Sequence, residues 1–495
     1  MTTDAVISPT TELDPRRWRA LVVIAIAQLM VVLDASIVNI ALPHLQQDLG
    51  ITPANRQWVV TAYTLAFGGL LLLGGRIADY AGRKKAFMIG LIGFAGASAL
   101  GGFALNQEML FSARALQGVF AALLAPAALS LISVTFTDSK ERAKAFAVYG
   151  GLSAGGAAIG LILGGLLTEY ASWRWCLGVN VPIAVVAVFL ATTNVHESRA
   201  QGDTRYDLPG AITATLGLVS LVYGITKAGE EGWSSVQTEL FFGIAIVMLG
   251  AFIAIERRTS HPLLPIRILT ERNRGASYLT SFIVGSGLFG MFLFLSLTFQ
   301  IVFGYSPVRS GLAFLPFSFG VGISAGMASK LLPRFGARPV SFVGLLMAAA
   351  GLGLLTRLTE QSDYVTDILP SLLIMSLGMG LVFVPLSATA LFAVGNHDTG
   401  VASAVLNTAQ QIGGALGTAL LNTIATSATT AYLVSGQIAP DPSGQIPPAA
   451  LLHGFAHAFV WSTGIVLVGA IVWVTMVNAD RNTLAANDSP SAHVG

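Results

Sequence analysis

The chain has 495 residues, of which 54% are hydrophobic and only 11% charged, with a formal net charge of +2. Soluble domains carry about 25% charged residues, so this composition excludes an ordinary globular fold and defines a polytopic membrane protein. The basic residues lie in short loops between apolar runs, which leaves no nucleic-acid footprint, and the single cysteine, Cys176, excludes an internal disulfide and a cysteine-based zinc site.

Residues 1–19 are polar and end in Arg16, Arg17 and Arg19. The apolar run that follows exceeds the roughly 7 to 15 residues of a signal-peptide core, so it reads as a retained first helix. Apolar stretches of about 20 residues, the length that crosses the hydrocarbon core, recur throughout. They lie near 20–43, 56–75, 85–104, 109–135, 143–168, 174–194, 208–227, 238–256, 276–303, 309–333, 338–357, 367–392, 400–427 and 454–478. The expected fold is therefore all-α, with fourteen transmembrane helices in the lipid bilayer. Of the 27 Lys and Arg, 21 fall in loops on one side, Arg56, Arg174, Lys227, Arg309 and Arg357 on the other, and Arg114 within a span. The positive-inside rule then places both termini in the cytoplasm.

Helix 1 carries Asp34 inside the run Val31–Pro43. A charge at the bilayer centre costs about 2.5 to 3.5 kcal/mol on insertion scales, which marks a functional site; an acid that snorkels to the interface or pairs structurally is the alternative. Every other acid is placed in a loop, at a helix end or in a tail. An acid held in apolar surroundings suits loading and release of a proton between two solvents, and Asp34 is the expected proton carrier.

After helix 2 comes Gly75-Arg76-Ile77-Ala78-Asp79-Tyr80-Ala81-Gly82-Arg83-Lys84-Lys85. Its glycines permit a tight reversal, and Asp79 is placed to accept from a helix N-terminus or to pair with an Arg. The stretch Ala81–Leu91 recurs 254 residues later as Phe335–Leu345, with Gly82 matching Gly336 and Gly90 matching Gly344. That offset predicts two six-helix halves with two helices inserted between them. The expected divisions are a tail over 1–19, a first bundle over 20–195, a linker with helices 7 and 8 over 196–275, a second bundle over 276–478 and a tail over 479–495.

Helix 4 holds Arg114-Ala115-Leu116-Gln117-Gly118. An intramembrane Arg must face a cavity, a carboxylate or carbonyls; a structural place near the helix end is the other reading. Helix 5 carries Gly151, Gly155, Gly156, Gly160, Gly164 and Gly165 at near-helical spacing, which close helix packing alone explains. Helix 13 sets Asn407, Gln411, Gly414 and Thr418 on one face, and helix 9 carries Phe282, Phe289, Phe292, Phe294 and Phe299 before Gln300. Asn39, Tyr63, Gln117, Gln300, Asn407 and Gln411 are the candidate lining of a cavity for a bulky amphipathic or aromatic compound. Interhelical hydrogen bonds and lipid-facing rings explain the same residues without a substrate. His453 and His457 have chelating spacing but no third ligand in view, and no Gly-Lys dipeptide exists to form an ATP-binding P-loop.

The loop over 75–85 resembles the signature G-x-L-A-D-R-x-G-R-K of the major facilitator superfamily, with Tyr80 where that family has Arg. The resemblance implies a cytoplasmic latch built on Gly75, Asp79, Gly82 and Arg83. Arg114–Gly118 is similar to the family's helix-4 motif R-x-x-Q-G, which implies a part in proton coupling. The helix-5 glycines take the glycine places of the exporters' antiporter motif, with Gly156 and Leu161 standing at its prolines. Leu33–Pro43, Ser172-Trp173-Arg174-Trp175 with Asn180-Val181-Pro182, Asp207-Leu208-Pro209-Gly210 and Gly304-Tyr305-Ser306-Pro307 look like the fourteen-helix drug/proton antiporter family of EmrB and QacA. That family implies a proton-coupled efflux transporter of the bacterial plasma membrane, not an enzyme, with the proton as coupling ion and no cofactor. An exporter of one endogenous metabolite, antibiotic or lipid, and a non-transporting receptor or scaffold, stand beside it.

Overall fold

The structure is a computed structural model describing residues 15–199, 207–259, 262–264, 266–391, 394, 399–435 and 446–478. Residues 1–14 of the N-terminal tail, Arg205, residues 436–445, and the tail over 479–495 with Arg481 lie outside the described residues. Among those described, every regular element is helical. In chain order the long helices are α1 (Arg17–Asp48), α2 (Trp58–Ala81), α3 (Arg83–Gly102), α4 (Gln107–Thr135), α5 (Ser139–Tyr170), α6 (Arg174–Asn194), α7 (Leu208–Glu231) and α8 (Val236–Arg258). They continue as α9 (Arg272–Val302), α10 (Pro307–Phe335), α11 (Ala337–Leu355), α12 (Tyr364–Ala390), α13 (Thr399–Val434) and α14 (Pro448–Met476). Thirteen are long and apolar enough to cross a membrane. The remaining one, α13, has 36 residues and ample length; Asn407, Gln410, Gln411 and Asn422 dilute its hydropathy.

The helices outrun their apolar stretches, because hydropathy marks only the segment inside hydrocarbon and the ends continue into the interface. Pro43, expected to close the first helix, lies inside α1, which continues to Asp48. A proline has no N–H, so the carbonyl four residues earlier loses its helical donor, and the bilayer supplies no water in its place. Here that carbonyl belongs to Asn39, and Ser296 of α9 donates its hydroxyl to it at 2.6 Å. Pro385 in α12 frees the carbonyl of Leu381, which accepts from Ser341 of α11 at 3.4 Å. Pro126 in α4 frees the carbonyl of Ala122, and Gly74 of α2 lies so close to it that a Cβ would overlap.

The halves α1–α6 and α9–α14 repeat one plan. Gly82 and Gly336 join consecutive helices at φ +120° and +81°, a region that favours glycine. Gly90 packs on Leu124 of α4, and its counterpart Gly344 packs on Gly378 of α12. Between the halves in sequence, α7 runs along the seam of α2 and α13, where Val222 meets Leu65, Ala415 and Ala419. Its neighbour α8 packs on α7 and leaves Leu240, Ile246 and Val247 exposed, a surface suited to lipid.

At the end opposite the termini the halves share one apolar core, which joins Ile37, Ile40 and Leu161 to Leu293, Leu297 and Phe314. Gln300 donates to the Ile40 carbonyl at 3.0 Å, and the Val308 amide donates to Glu169 at 2.9 Å. Gly165 and Gly311 let α5 and α10 touch backbone to backbone there. Toward the termini those helices part: Gly151 and Gly155 on α5, and Gly322 and Gly326 on α10, meet nothing within 4 Å. The halves are thus sealed at one end, and α5 and α10 part toward the other.

Candidate functional site

Asp34, at the middle of α1, is fully buried, and so is Arg114 of α4. Arg114 Nη1 donates to Asp34 Oδ2 at 2.6 Å. Gln117 Nε2 and Asn180 Nδ2 each donate to Asp34 Oδ1 at 2.8 Å. Arg114 and Gln117 stand three apart and so share a face of α4, which lets Arg114 Nη1 also reach Gln117 Oε1 at 2.8 Å. Arg114 Nε donates to the Val59 carbonyl of α2 at 2.9 Å, and the guanidinium lies 4.6 Å from the Tyr63 ring centre. Ser98 of α3 accepts from Gln117 at 2.6 Å and from Asn180 at 3.2 Å.

Small residues bring these helices together. At Gly118 a Cβ would fall on the Tyr63 carbonyl, so glycine lets α4 approach α2 closely enough for Arg114 to reach its backbone. Gly156, Gly160 and Gly164 lay α5 against Val32, Leu33, Ser36 and Ile37 of α1, the turns that carry Asp34. Gly165 faces α10, while Gly151 and Gly155 face open space.

The carboxylate accepts from three side chains, so as an ion pair it is well satisfied. Two buried polar atoms beside it, Tyr63 Oη and Asn180 Oδ1, have no partner among the described residues. A proton on Asp34 would leave Arg114 as a buried cation without counter-charge, a situation that costs about 3 to 5 kcal/mol when a pair is broken.

The other expected residues divide by position. Arg83 Nε donates to Asp79 Oδ1 at 2.9 Å, and Ser130 reaches the same oxygen at 3.4 Å. All three residues belong to the first half. From the same loop, Arg76 reaches the Pro262 carbonyl beyond α8 at 3.2 Å. Tyr63 and Gln117 belong to the buried charge network rather than to an open wall. Asn39 and Gln300 sit where α1 crosses α9 at the sealed end, with Asn39 Nδ2 turned back onto the Ala35 carbonyl at 3.1 Å. Gln411 packs on Gly68 of α2, and Asn407 is exposed. The helix-9 rings pack inside the second half: Phe294 lies 5.3 Å from Phe455, and Phe299 lies 5.2 Å from Phe314. His453 stacks on Tyr432 at 4.3 Å, and among the described residues no group of three or more metal-ligating side chains forms.

Three residues escaped the sequence reading as site members. Asn180 was visible as an amide near the start of an apolar span but had no assigned contact. Ser98, within Gly96-Ala97-Ser98-Ala99, is indistinguishable in sequence from a packing residue. Glu197 caps α3, its carboxylate accepting from the Lys84 and Lys85 amides at 3.1 Å each. In sequence it is one more charge in a polar linker.

Two repeated six-helix halves closed at one end, with an acid–base pair buried in one of them, define a secondary transporter. The chain belongs to the major facilitator superfamily, whose sequence profile matches residues 24–418. Over 485 residues it is 48% identical to the puromycin resistance protein pur8 of Streptomyces alboniger, covering 97% of this chain and 95% of that one. It is 36% identical over 469 residues to the cephamycin export protein CmcT of Amycolatopsis lactamdurans, covering 94% and 93%. Among solved structures, a bacterial homologue of the human lysosomal transporter Spinster, crystallised inward-facing and unoccupied, shares the fold. Its TM-score is 0.67 at 16% identity, covering 97% of this chain and all of that one. The D-xylose–proton symporter superposes with a TM-score of 0.63 at 12% identity over 94% of this chain and 99% of that one. The chain is therefore a multi-pass membrane transporter for a small-molecule substrate, akin to the fourteen-helix drug antiporters.

Proposed function

We propose that the chain is a proton-driven exporter of amphipathic or aromatic drugs or antibiotics that works by alternating access between its two halves. The proton is the coupling ion, with no cofactor and no ATP site. Both termini face the cytoplasm, so the parted end receives substrate from inside. The observation that carries the reading is the buried Asp34–Arg114 pair, with Gln117 and Asn180 on the same carboxylate. In the inward-open state Asp34 is ionised and held by Arg114. Once the site faces outward, a proton neutralises Asp34 and frees Arg114. The α1 turn then shifts against Gly156, Gly160 and Gly164, and α5 carries that shift to α10 at Gly165.

In inside-out vesicles energised by a proton gradient, the wild type takes up puromycin and Asp34→Asn does not. Gradient-driven uptake by Asp34→Asn would sink the proton role. One relative is named for puromycin resistance and the other for cephamycin export, which favours a dedicated exporter as the second reading. Competition by many unrelated cations and aromatics supports a broad cavity; competition by close analogues alone supports the dedicated one.

A further inference from the structure

Arg56, in the turn between α1 and α2, is 3% exposed and has no acidic partner among the described residues. Its Nε donates to Asn422 Oδ1 of α13 at 2.9 Å, and its guanidinium lies 5.5 Å from the Phe455 ring centre of α14. Its two Nη groups have no hydrogen-bond partner among the described residues, and Arg56 lines a cavity of about 390 Å³ at the sealed end. A buried cation without a counter-charge is costly; burial holds its pKa down to about 10, so it stays charged at neutral pH.

A second observation lies in the same cavity. Thr426 Oγ1, on its wall, is buried and has no partner among the described residues. Thr52 and Thr430 also line it, the Thr52 hydroxyl accepting from the Asn55 amide at 3.3 Å and the Thr430 hydroxyl donating to the Thr426 carbonyl at 3.0 Å. The one lining carboxylate, Glu230, is taken by Lys227 at 2.8 Å. A guanidinium with free Nη groups and an unpaired hydroxyl match the oxygens of an oxyanion.

The walls come from three parts of the chain: the α1–α2 turn, the end of α7, and α13 with α14. Beneath them, Asn422 donates to Gln57 Oε1 at 2.7 Å, and Gln57 donates to Thr226 of α7 at 2.9 Å. The cavity therefore exists only while both halves and α7 are together at this end. We propose that it is an oxyanion site on the face opposite the termini, taking a free phosphate or carboxylate or a lipid phosphate, and that its occupant holds this face closed. A ligand that binds only the closed arrangement stabilises it by mass action.

The test uses the full chain in nanodiscs. In phosphatidylcholine discs, inorganic phosphate added at constant ionic strength raises the unfolding midpoint if the free ion is the ligand. Discs with phosphatidylglycerol and no phosphate raise it if the ligand is a headgroup. Arg56→Gln weakens the response about tenfold or more in apparent Kd, and Thr426→Val, which keeps the cation, about fivefold. Phosphate, or phosphatidylglycerol, also slows labelling of Gln300→Cys by an impermeant maleimide. The proposal fails if neither anion shifts the midpoint, or if both variants respond as the wild type does. A midpoint shift without slower labelling overturns the closing role.

Discussion

The hydroxyl of Ser296 in α9 donates to the carbonyl of Asn39 in α1 at 2.6 Å, and Pro43 is the reason that carbonyl is free. The two halves are thus joined at the sealed end by a bond to a carbonyl that a helix-interior proline leaves without its helical donor. Ser296→Ala leaves the carbonyl buried without a donor, at a cost of about 1 to 3 kcal/mol. The expected result is a lower unfolding midpoint and faster labelling of cysteines at the sealed end. In a Pro43→Ala background α1 makes its own hydrogen bond again, so the penalty of Ser296→Ala shrinks. Equal penalties in both backgrounds would refute the account, because a double-mutant cycle isolates this pair.

The same pair shows where sequence reading stops. Fourteen spans and the repeat at Gly82 and Gly336 were legible, because a bilayer enforces long apolar runs and a tight reversal enforces glycine. The acid and the arginine of the charge pair were legible too, since each is expensive at its depth. Their partners were not. Ser98 and Asn180 cost little in a helix, and only the packing of α6 against both α1 and α3 brings Asn180 onto Asp34 and Ser98 onto Asn180. The helix-9 aromatics looked like substrate contacts by composition, yet their rings close the second half's own core, since periodicity cannot tell an inner wall from a packed interface. Pro43 looked like a terminator because its compensating hydroxyl lies 253 positions away in the chain.

Asp34 and Arg114 are expected to be worth more together than either is alone. Asp34→Asn and Arg114→Gln each leave one buried charge unpaired and lower stability by about 3 to 5 kcal/mol. The double variant Asp34→Asn with Arg114→Gln loses less than the sum, because neither charge remains. Proton-driven transport is absent in all three. Unfolding in detergent together with vesicle uptake separates the effects: recovered stability without recovered uptake assigns the pair to coupling. Recovered uptake in the double variant would contradict that assignment.

The helix-5 glycines should divide into two groups. At Gly160 a Cβ would fall on Ser36 Oγ and within 3.2 Å of Leu33 Cα, whereas at Gly155 it would meet nothing within 4 Å. Gly160→Val therefore pushes α5 away from the Asp34 turn at an overpacking cost of about 1 to 3 kcal/mol, and uptake falls steeply. Gly155→Val leaves both folding and uptake near wild type. A comparable loss at both positions would mean that the stripe acts through helix flexibility, not through contact with α1.

The start of α1 is tied to the start of α5 by a fork. Arg17 Nε donates to Glu141 Oε2 at 2.7 Å, and Nη2 donates to Oε1 at 2.9 Å. The hydrogen bond from Arg17 is the main cause holding the Glu141 carboxyl below its ordinary value of 4.5, with burial opposing it and the charge of Arg17 adding to it. A carboxyl lowered in the folded state binds its proton more weakly there than in the unfolded chain, so its contribution is fully present above the ordinary value. That contribution fades as pH falls through the folded, lower value. Comparing wild type with Glu141→Gln by unfolding midpoint should thus show a constant gap from neutral pH down to about the ordinary carboxyl range, closing below it. The gap is small, since both side chains are partly exposed. Added salt should narrow it at neutral pH, because an exposed pair is screened. A gap that widened on acidification would mean that Glu141 is held protonated in the fold, and the fork to Arg17 would then not be what joins α1 to α5.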